Sequence, residues 1–208
     1  MKEYHKIQTV FMRDPATNHK TLLEGQYSLP EFGYLKDNVW VFTEKVDGTN
    51  IRVMFDGTAL TFGGKTDAAQ IPAVLVARLN ERFLPQLSVF QEKFPDGVCL
   101  YGEGYGAKIQ SGGGNYRQDQ DFVLFDVKVG EWWLERENVE DVGAALSLDI
   151  VPILRSDTLS KMVEMARHGF VSTWGNFTAE GIVARPATEL RTRNGHRIIT
   201  KIKHKDFA

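Results

Sequence analysis

The sequence predicts an α+β fold, and three features of the chain indicate it. Alternating apolar residues mark strands on both sides of a polar turn, at Val39 and Val41 before it and at residues 51–55 after it. Helically spaced apolar residues follow at 71–84. Near the end, Asn194-Gly195 is a strong hairpin signal between two further strand-like runs. This order favours two mostly antiparallel sheets with helices packed beside them.

The first half of the chain is predicted to form short strands and one hairpin. Residues 1–36 lack a sustained period, so we expect short strands or loops there, with Ile7, Val10 and Phe11 contributing to the core. Asp56-Gly57 is a good turn dipeptide between strands at 51–55 and 59–62.

A helix is predicted at 71–84, with Pro72 tolerated in its first turn and Pro85 ending or kinking it. A turn at 95–97 precedes a buried strand at 98–101 that contains Cys99. The glycine-rich segment 108–116 lacks the Gly-Lys-Thr ending of a P-loop, so we interpret it as a flexible loop.

The second half alternates strands and helices. We predict a hairpin of 122–129 with 131–134 around Gly130, then helices near 138–148 and 158–168. Ser156 or Asp157 is a plausible N-cap for the second helix, and Gly169 a stop signal after it. A strand at 181–185 and a hairpin of 190–193 with 196–203 complete the prediction.

Composition is that of an ordinary globular protein. The 208 residues fit a single domain, 1–208, which we expect to lack an OB-type or other C-terminal domain. A net charge of −2 gives no global basic field, so any nucleic-acid surface must be local. One cysteine excludes an internal disulfide, and the absence of a signal peptide or membrane-spanning run predicts a cytoplasmic protein.

The polar turn Glu44-Lys45-Val46-Asp47-Gly48 is the centre of the functional pattern. Three further polar motifs and one aromatic strand follow it in order: Gly102-Glu103-Gly104, Phe125-Asp126, Glu180-Gly181-Ile182-Val183 and Lys201-Ile202-Lys203. In a strand, Lys201 and Lys203 share one face while Ile202 faces the core. Two cations on one face fit phosphate binding, and neighbouring positive charge favours the neutral form that a lysine nucleophile needs.

This series resembles the motifs of covalent nucleotidyltransferases, and most closely ATP-dependent RNA ligases of the T4 RNA ligase 2 type, in a minimal form that ends just after the last motif. Asn50 stands where DNA ligases and capping enzymes usually have arginine, and residues 43–50 and 62–67 also look like that branch. Lys65 stands where the branch commonly has arginine. The resemblance implies a nucleotidyltransferase fold of two mostly antiparallel sheets flanked by helices around an ATP cleft.

The resemblance also implies the chemistry. Lys45 would attack the α-phosphorus of ATP to form lysyl-N-AMP, and Glu180 would hold Mg²⁺ or Mn²⁺, with Asp47 as a second metal candidate. The nucleotide-binding residues are expected to be Glu44, Val46, Asn50, Lys65, Glu103, Phe125, Lys201 and Lys203. Among them Glu44 and Phe125 would contact adenine and Glu103 the ribose, because the glycines flanking Glu103 permit close approach of a ligand.

The expected partners are RNA ends in a nicked or otherwise held duplex. We expect the protein to act as a monomer or with an accessory protein, and we expect no membrane partner. Lys65, Arg191, Arg193 and Arg197 are the basic residues expected to bind this RNA. Two alternatives are a DNA ligase or capping-type nucleotidyltransferase and a catalytically idle protein that binds RNA ends. Asn50 disfavours the first alternative, and the intact motif set disfavours the second.

Overall fold

The structure is a computed structural model that describes residues 3–207. The strands are β1 Gln8–Thr9, β2 Phe11–Arg13, β3 Leu22–Tyr27, β4 Trp40–Lys45, β5 Thr49–Phe55, β6 Leu60–Gly63, β7 Val98–Gly106, β8 Gln120–Val129, β9 Trp132–Trp133, β10 Ile153–Asp157, β11 Gly181–Pro186 and β12 Thr200–Lys203. The α-helices are α1 Pro30–Tyr34, α2 Ala73–Phe83, α3 Leu87–Lys93, α4 Gly113–Tyr116, α5 Arg136–Ala145 and α6 Leu159–His168.

The chain forms two compact units, each with its own five-stranded sheet. The Lys45 unit comprises Lys6–Val46 and Pro152–Ala208, and the Glu103 unit comprises Met1–His5 and Asp47–Val151. The predicted α+β class with mostly antiparallel sheets is therefore confirmed, since β1 and β12 are the one parallel strand pair among the described residues.

In the Lys45 unit the sheet order is β1-β12-β11-β4-β10. One face of this sheet is apolar, because Phe42, Ile182 and Ile202 alternate inward along β4, β11 and β12. Helix α6 supplies the facing residues Leu159, Met162, Val163 and Ala166.

In the Glu103 unit the sheet order is β6-β5-β7-β8-β9 and every strand pair is antiparallel. Helices α2, α3 and α5 cover one face, and their apolar residues Leu75, Leu79, Phe83, Phe90 and Val139 are buried against β5, β7 and β8. The predicted Asp56-Gly57 hairpin is confirmed between β5 and β6, where Gly57 has a φ of +98°.

Several predicted elements differ in extent. Helix α2 ends at Phe83, as Pro85 predicts, but the chain continues through a 3₁₀ turn into α3, which the sequence did not predict. The N-cap of α6 is Thr158, whose hydroxyl accepts from the Lys161 amide, rather than Ser156 or Asp157. Those two residues instead extend β10, a strand the sequence also did not predict, while the stop at Gly169 is confirmed.

The last predicted hairpin is shorter than expected. Only Thr200–Lys203 form a regular strand, and residues 190–197 form a turn joined by one isolated bridge between Arg191 and Arg197. Among residues 3–207 no helix has the length and hydropathy needed to cross a membrane.

Candidate active site

The predicted nucleophile lies on the open face of the sheet of the Lys45 unit. Lys45 is paired with Gly181, and Gly181 in turn with Lys203. Val183 is paired with Lys201, one row further along the strands. Because residues paired across adjacent strands share a face, the three motif lysines project from the side of the sheet opposite the apolar core.

Glu180 joins two of these lysines. The Lys45 Nζ donates a hydrogen bond of 2.6 Å to Glu180 Oε2, and the Lys203 Nζ lies 2.5 Å from Glu180 Oε1. The Glu180 side chain is only 9% exposed, so the bridge is well shielded. The buried Val46 contributes its carbonyl, which accepts from Lys45 Nζ at 3.4 Å. This arrangement fixes the lysine nitrogen in one position.

Glu44 points away from this face. It is 1% exposed, and its carboxylate accepts hydrogen bonds from the Ser172 hydroxyl at 2.6 Å and from the Thr173 amide at 2.9 Å and hydroxyl at 2.8 Å. The carboxylate therefore anchors the segment after α6, a contact that the sequence did not predict. Its expected contact with adenine stays a prediction.

Lys203 is held by a second acidic residue that sequence reasoning missed. Asp206 accepts from the backbone N–H of Lys203 at 3.0 Å and pairs with Arg13 at 2.6 Å. This pairing tethers the end of β12 to β2. The sequence carries no spacing signal for it, since Arg13 and Asp206 lie at opposite ends of the chain.

In the Glu103 unit, the third-motif glutamate lies beside a buried polar atom. Asn50 on β5 is paired with Glu103 on β7, so both side chains occupy one face. The Asn50 Oδ1 is buried and has no hydrogen-bond partner within residues 3–207. An unsatisfied buried acceptor is costly, and a bound donor would satisfy it. The predicted roles of Asn50 and Glu103 in nucleotide binding stay predictions.

The glycines beside Glu103 serve packing on the other face. A Cβ at Gly102 would lie 2.2 Å from the Phe122 ring, and one at Gly104 would lie 2.5 Å from Leu75. Core packing therefore requires both glycines, and their predicted part in ligand approach stays a prediction.

A bulge in β8 separates its two phenylalanines. Phe122 is fully buried in the core, whereas Phe125 is half-buried and its ring centroid lies 5.1 Å from that of Tyr4. The register shifts opposite Tyr101 and Gly102, so Phe125 and Asp126 both oppose the stretch around Tyr101.

The segment around Lys65 is held by a buried arginine that the sequence analysis did not single out. The fully buried Arg52 donates to the Gly64 carbonyl at 2.9 Å and pairs with Asp67 at 2.7 Å, which shapes the backbone around the exposed Lys65.

The turn after the nucleophile is held by the glycine-rich segment. The Asp47 N–H donates to the Tyr116 hydroxyl at 3.1 Å, and the Gln110 amide donates to the Gly48 carbonyl at 3.0 Å. The segment predicted to be a flexible loop therefore braces this turn and ends in the short helix α4.

The donor set fits a hydrated divalent ion. Residues 3–207 contain no group of three His, Cys, Asp or Glu side chains that could enclose a metal. Mg²⁺ is commonly bound by one or two carboxylates together with substrate phosphates and keeps several waters. Glu180, on the open face, is a carboxylate of that kind, with ammonium groups now on both its oxygens.

Comparison with known proteins gives one family and one fold. The sequence model of the family described as RNA ligase matches residues 38–203. No curated protein sequence matches this chain.

Solved structures of Naegleria gruberi RNA ligase are similar to this chain. A mutant in its apo form superposes with a TM-score of 0.71 at 17% identity, covering 100% of this chain and 56% of that one. A mutant with ATP and Mn gives 0.71 at 18%, and the ligase with PPi gives 0.69 at 18%, each covering 98% of this chain and 56% of that one. This likeness confirms the predicted nucleotidyltransferase fold, and this chain spans about 56% of the length of those ligases.

Proposed function

Because this chain belongs to the RNA ligase family, we propose that it is an ATP-dependent RNA ligase with a lysyl-N-AMP intermediate on Lys45. It would transfer the AMP to an RNA 5′-phosphate and then seal that end to a 3′-hydroxyl. The observation that carries the proposal is the Lys45–Glu180–Lys203 bridge on the open sheet face, with Lys201 on the same face. The known ligases that share the fold support ATP and a divalent ion as the reactants to test.

In the first step the nitrogen–phosphorus bond forms while the bond from the α-phosphorus to pyrophosphate breaks. Lysine attacks only as the neutral amine, so the Lys45 ammonium must first lose a proton. Before an ion binds, Glu180 Oε2 is hydrogen-bonded to that nitrogen at 2.6 Å and stabilises its charged form. The proton would pass to solvent when Glu180 takes up the ion, and the charges of Lys201 and Lys203 would favour its loss. The hold of Glu180 on Nζ also limits the positions from which the nitrogen can approach the phosphorus.

The neighbouring lysines would stabilise the phosphate charge. Phosphoryl and nucleotidyl transfer depend mainly on positioning and on neutralising charge at the phosphate oxygens. Lys201 and Lys203 lie on the same face as Lys45 and are assigned the α-phosphate and the leaving pyrophosphate.

Glu180 would hold Mg²⁺ or Mn²⁺ through water, and Asp47 is the second candidate. Once bound, the ion would add positive charge near the α-phosphate.

The remaining nucleotide contacts are assigned to the motif residues of the Glu103 unit. Glu103, whose strand pairs with that of Asn50, is assigned the ribose hydroxyls. Phe125 is assigned adenine, and Lys65 and Asn50 the phosphate end. Glu44 is assigned the adenine-side contact, and Val46, whose carbonyl accepts from Lys45 Nζ, is assigned to nucleotide binding next to Lys45.

Covalent labelling tests this proposal. Incubation with α-labelled ATP and Mg²⁺ or Mn²⁺ should attach acid-labile, alkali-stable AMP to the protein. Lys45→Ala should remove all label, because it removes the nitrogen that forms the bond. The matched control is Lys36→Ala, an exposed lysine of the same unit, which should label normally. Label that persists in Lys45→Ala would place the covalent site elsewhere.

A further inference from the structure

Arginines in this protein are almost all paired with carboxylates. Ten of the twelve form an ion pair within residues 3–207, at positions 13, 52, 78, 82, 117, 136, 155, 167, 185 and 197. Arg191 and Arg193 are the two that have no carboxylate partner in this described part of the chain, and both are exposed. They lie two residues apart, in a protein whose net charge is −2.

A compact hairpin carries these two arginines. The Thr192 amide donates to the His196 carbonyl at 2.8 Å, and the Gly195 amide donates to the Thr192 carbonyl at 2.9 Å. At the base, Ile198 is buried in the core of the Lys45 unit and donates to the Leu190 carbonyl at 3.0 Å. The arginine backbones are therefore fixed, which lowers the entropy lost when their side chains bind a partner.

The other two arginines near this hairpin share one carboxylate. Glu189 lies 3.3 Å from Arg197 and 3.6 Å from Arg185, and the Arg197 side chain is only 5% exposed. The prediction that Arg197 contacts RNA is therefore wrong, because phosphates cannot reach a buried and paired guanidinium. Arg191 and Arg193 are thus the exposed arginines of this region that have no carboxylate partner within residues 3–207.

The position of the hairpin suits a nucleic-acid backbone. It connects β11 to β12, whose other ends carry Gly181 and Lys203 beside Lys45. The six residues of β11 span roughly 17 Å at 3.3 Å per residue. A nucleic-acid strand that runs along β11 from Lys45 would therefore pass towards the hairpin.

We propose that residues 190–197 form a clamp for the phosphate backbone of RNA, in which Arg191 and Arg193 bind the phosphates. Arginine suits this task because its planar guanidinium binds phosphate oxygens through two parallel hydrogen bonds. The assignment of RNA as the partner rests on the proposed function, whereas the unpaired charge of the hairpin does not.

Salt-dependent RNA binding tests the clamp. The probe is a 5′-phosphorylated, nicked RNA duplex, and affinity is measured by fluorescence anisotropy without ATP across a salt series. The Arg191→Gln, Arg193→Gln double variant should bind on the order of 60-fold more weakly at about 0.1 M salt, because the counterion release of two duplex phosphate contacts is lost. The slope of log affinity against log salt should become shallower by about 1.8 for duplex contacts.

The control removes the same charge elsewhere in the Lys45 unit. Lys36→Gln, Lys161→Gln changes two exposed lysines that pair with Asp37 and Glu164. A double arginine variant that follows this control in affinity and slope would overturn the proposal. A selective loss of binding to phosphatidylserine vesicles instead would assign the hairpin to a membrane and equally overturn it.

Failure of the clamp and failure of the ligase proposal give different results. Binding is measured without ATP, so it does not depend on adenylation of Lys45. A protein that binds RNA through the hairpin but acquires no AMP would keep the clamp and reject the ligase. A protein that acquires AMP, but whose double arginine variant binds RNA as tightly as the wild type, would keep the ligase proposal and reject the clamp.

Discussion

At the scale of single residues, Glu180 is the group on which the proposed chemistry depends most. It holds both Lys45 and Lys203 through separate oxygens, at 2.6 and 2.5 Å. A neutral amide of the same shape would still accept one hydrogen bond but would bring no charge to balance the two ammonium groups.

We therefore expect Glu180→Gln to slow self-adenylation by about 100-fold or more, the size of effect seen when one preorganised electrostatic contact is lost. Single-turnover labelling with saturating ATP measures the rate, and thermal unfolding checks that the fold is kept. Glu164→Gln, which loses an exposed ion pair with Lys161 on α6, is the matched control. A near-wild-type rate in Glu180→Gln would remove this carboxylate from the mechanism.

Some residue placements could be predicted from the sequence and others could not. Strand alternation is a local property, so the shared face of Lys201 and Lys203 followed from their spacing. The partners of Glu44 are 128 and 129 positions away in the chain, at Ser172 and Thr173, and no local pattern indicates such a contact. Arg197 and Glu189 are only eight positions apart, and their contact was missed because the predicted hairpin began at Leu190 and left Glu189 outside it.

At the scale of elements, one buried carboxylate connects α2 to β8. Asp121 at the start of β8 pairs with Arg82 at 2.7 Å, Arg117 at 2.6 Å and Arg78 at 3.3 Å. Burial by itself raises the pKa of the Asp121 carboxyl, but the Phe122 amide and the guanidinium groups of Arg78 and Arg82 outweigh it. The net result is a pKa below the usual value.

A lowered carboxyl pKa in the folded state stabilises the protein above the unfolded-state pKa, and that contribution is lost as pH falls through the folded-state value. Asp121→Asn should therefore lower the free energy of unfolding by about 2–3 kcal/mol at neutral pH. The difference from wild type should shrink below about pH 4. Urea unfolding across pH measures it, with Asp141→Asn on the exposed face of α5 as control. A deficit that stays constant down to the lowest pH would contradict the ionic role.

Element boundaries show why periodicity predicts some structure and misses the rest. Pro85 ended α2 as expected, because proline removes a helical hydrogen bond. Strand β10 was missed because Ile153–Asp157 is mostly exposed and polar, so it shows no apolar alternation. Its pairing with β4, and not its own sequence, holds it in the sheet.

At the scale of the whole molecule, charge is distributed in an uneven way. A net charge of −2 and paired arginines at most positions leave few sites able to attract a polyanion. Under the proposed function, RNA would bind at local surfaces, and its affinity should fall steeply with salt. Composition alone predicted local binding, but only the three-dimensional pairing pattern separated Arg191 and Arg193 from Arg197.

The motif order predicted the fold class and the family, since five motifs in sequence over most of the chain are specific even where each one is weak. The match of the RNA ligase family to residues 38–203 confirms that interpretation. The motif order does not show whether the protein selects RNA over DNA. That selection would require contacts to the 2′-hydroxyl, the group that lets a protein distinguish RNA from DNA.

Sealing of matched nicks is the most direct measurement of the central claim. Duplexes carrying one nick, with a labelled 5′-phosphate and either RNA or DNA on the 3′-hydroxyl side, are incubated with ATP and Mg²⁺ or Mn²⁺. The account predicts that the wild-type protein converts the label into a longer, phosphatase-resistant strand only where the 3′-hydroxyl side is RNA, and that Lys45→Ala forms none. Equal sealing of all-DNA nicks, or no sealing of RNA by protein that carries AMP on Lys45, would contradict it.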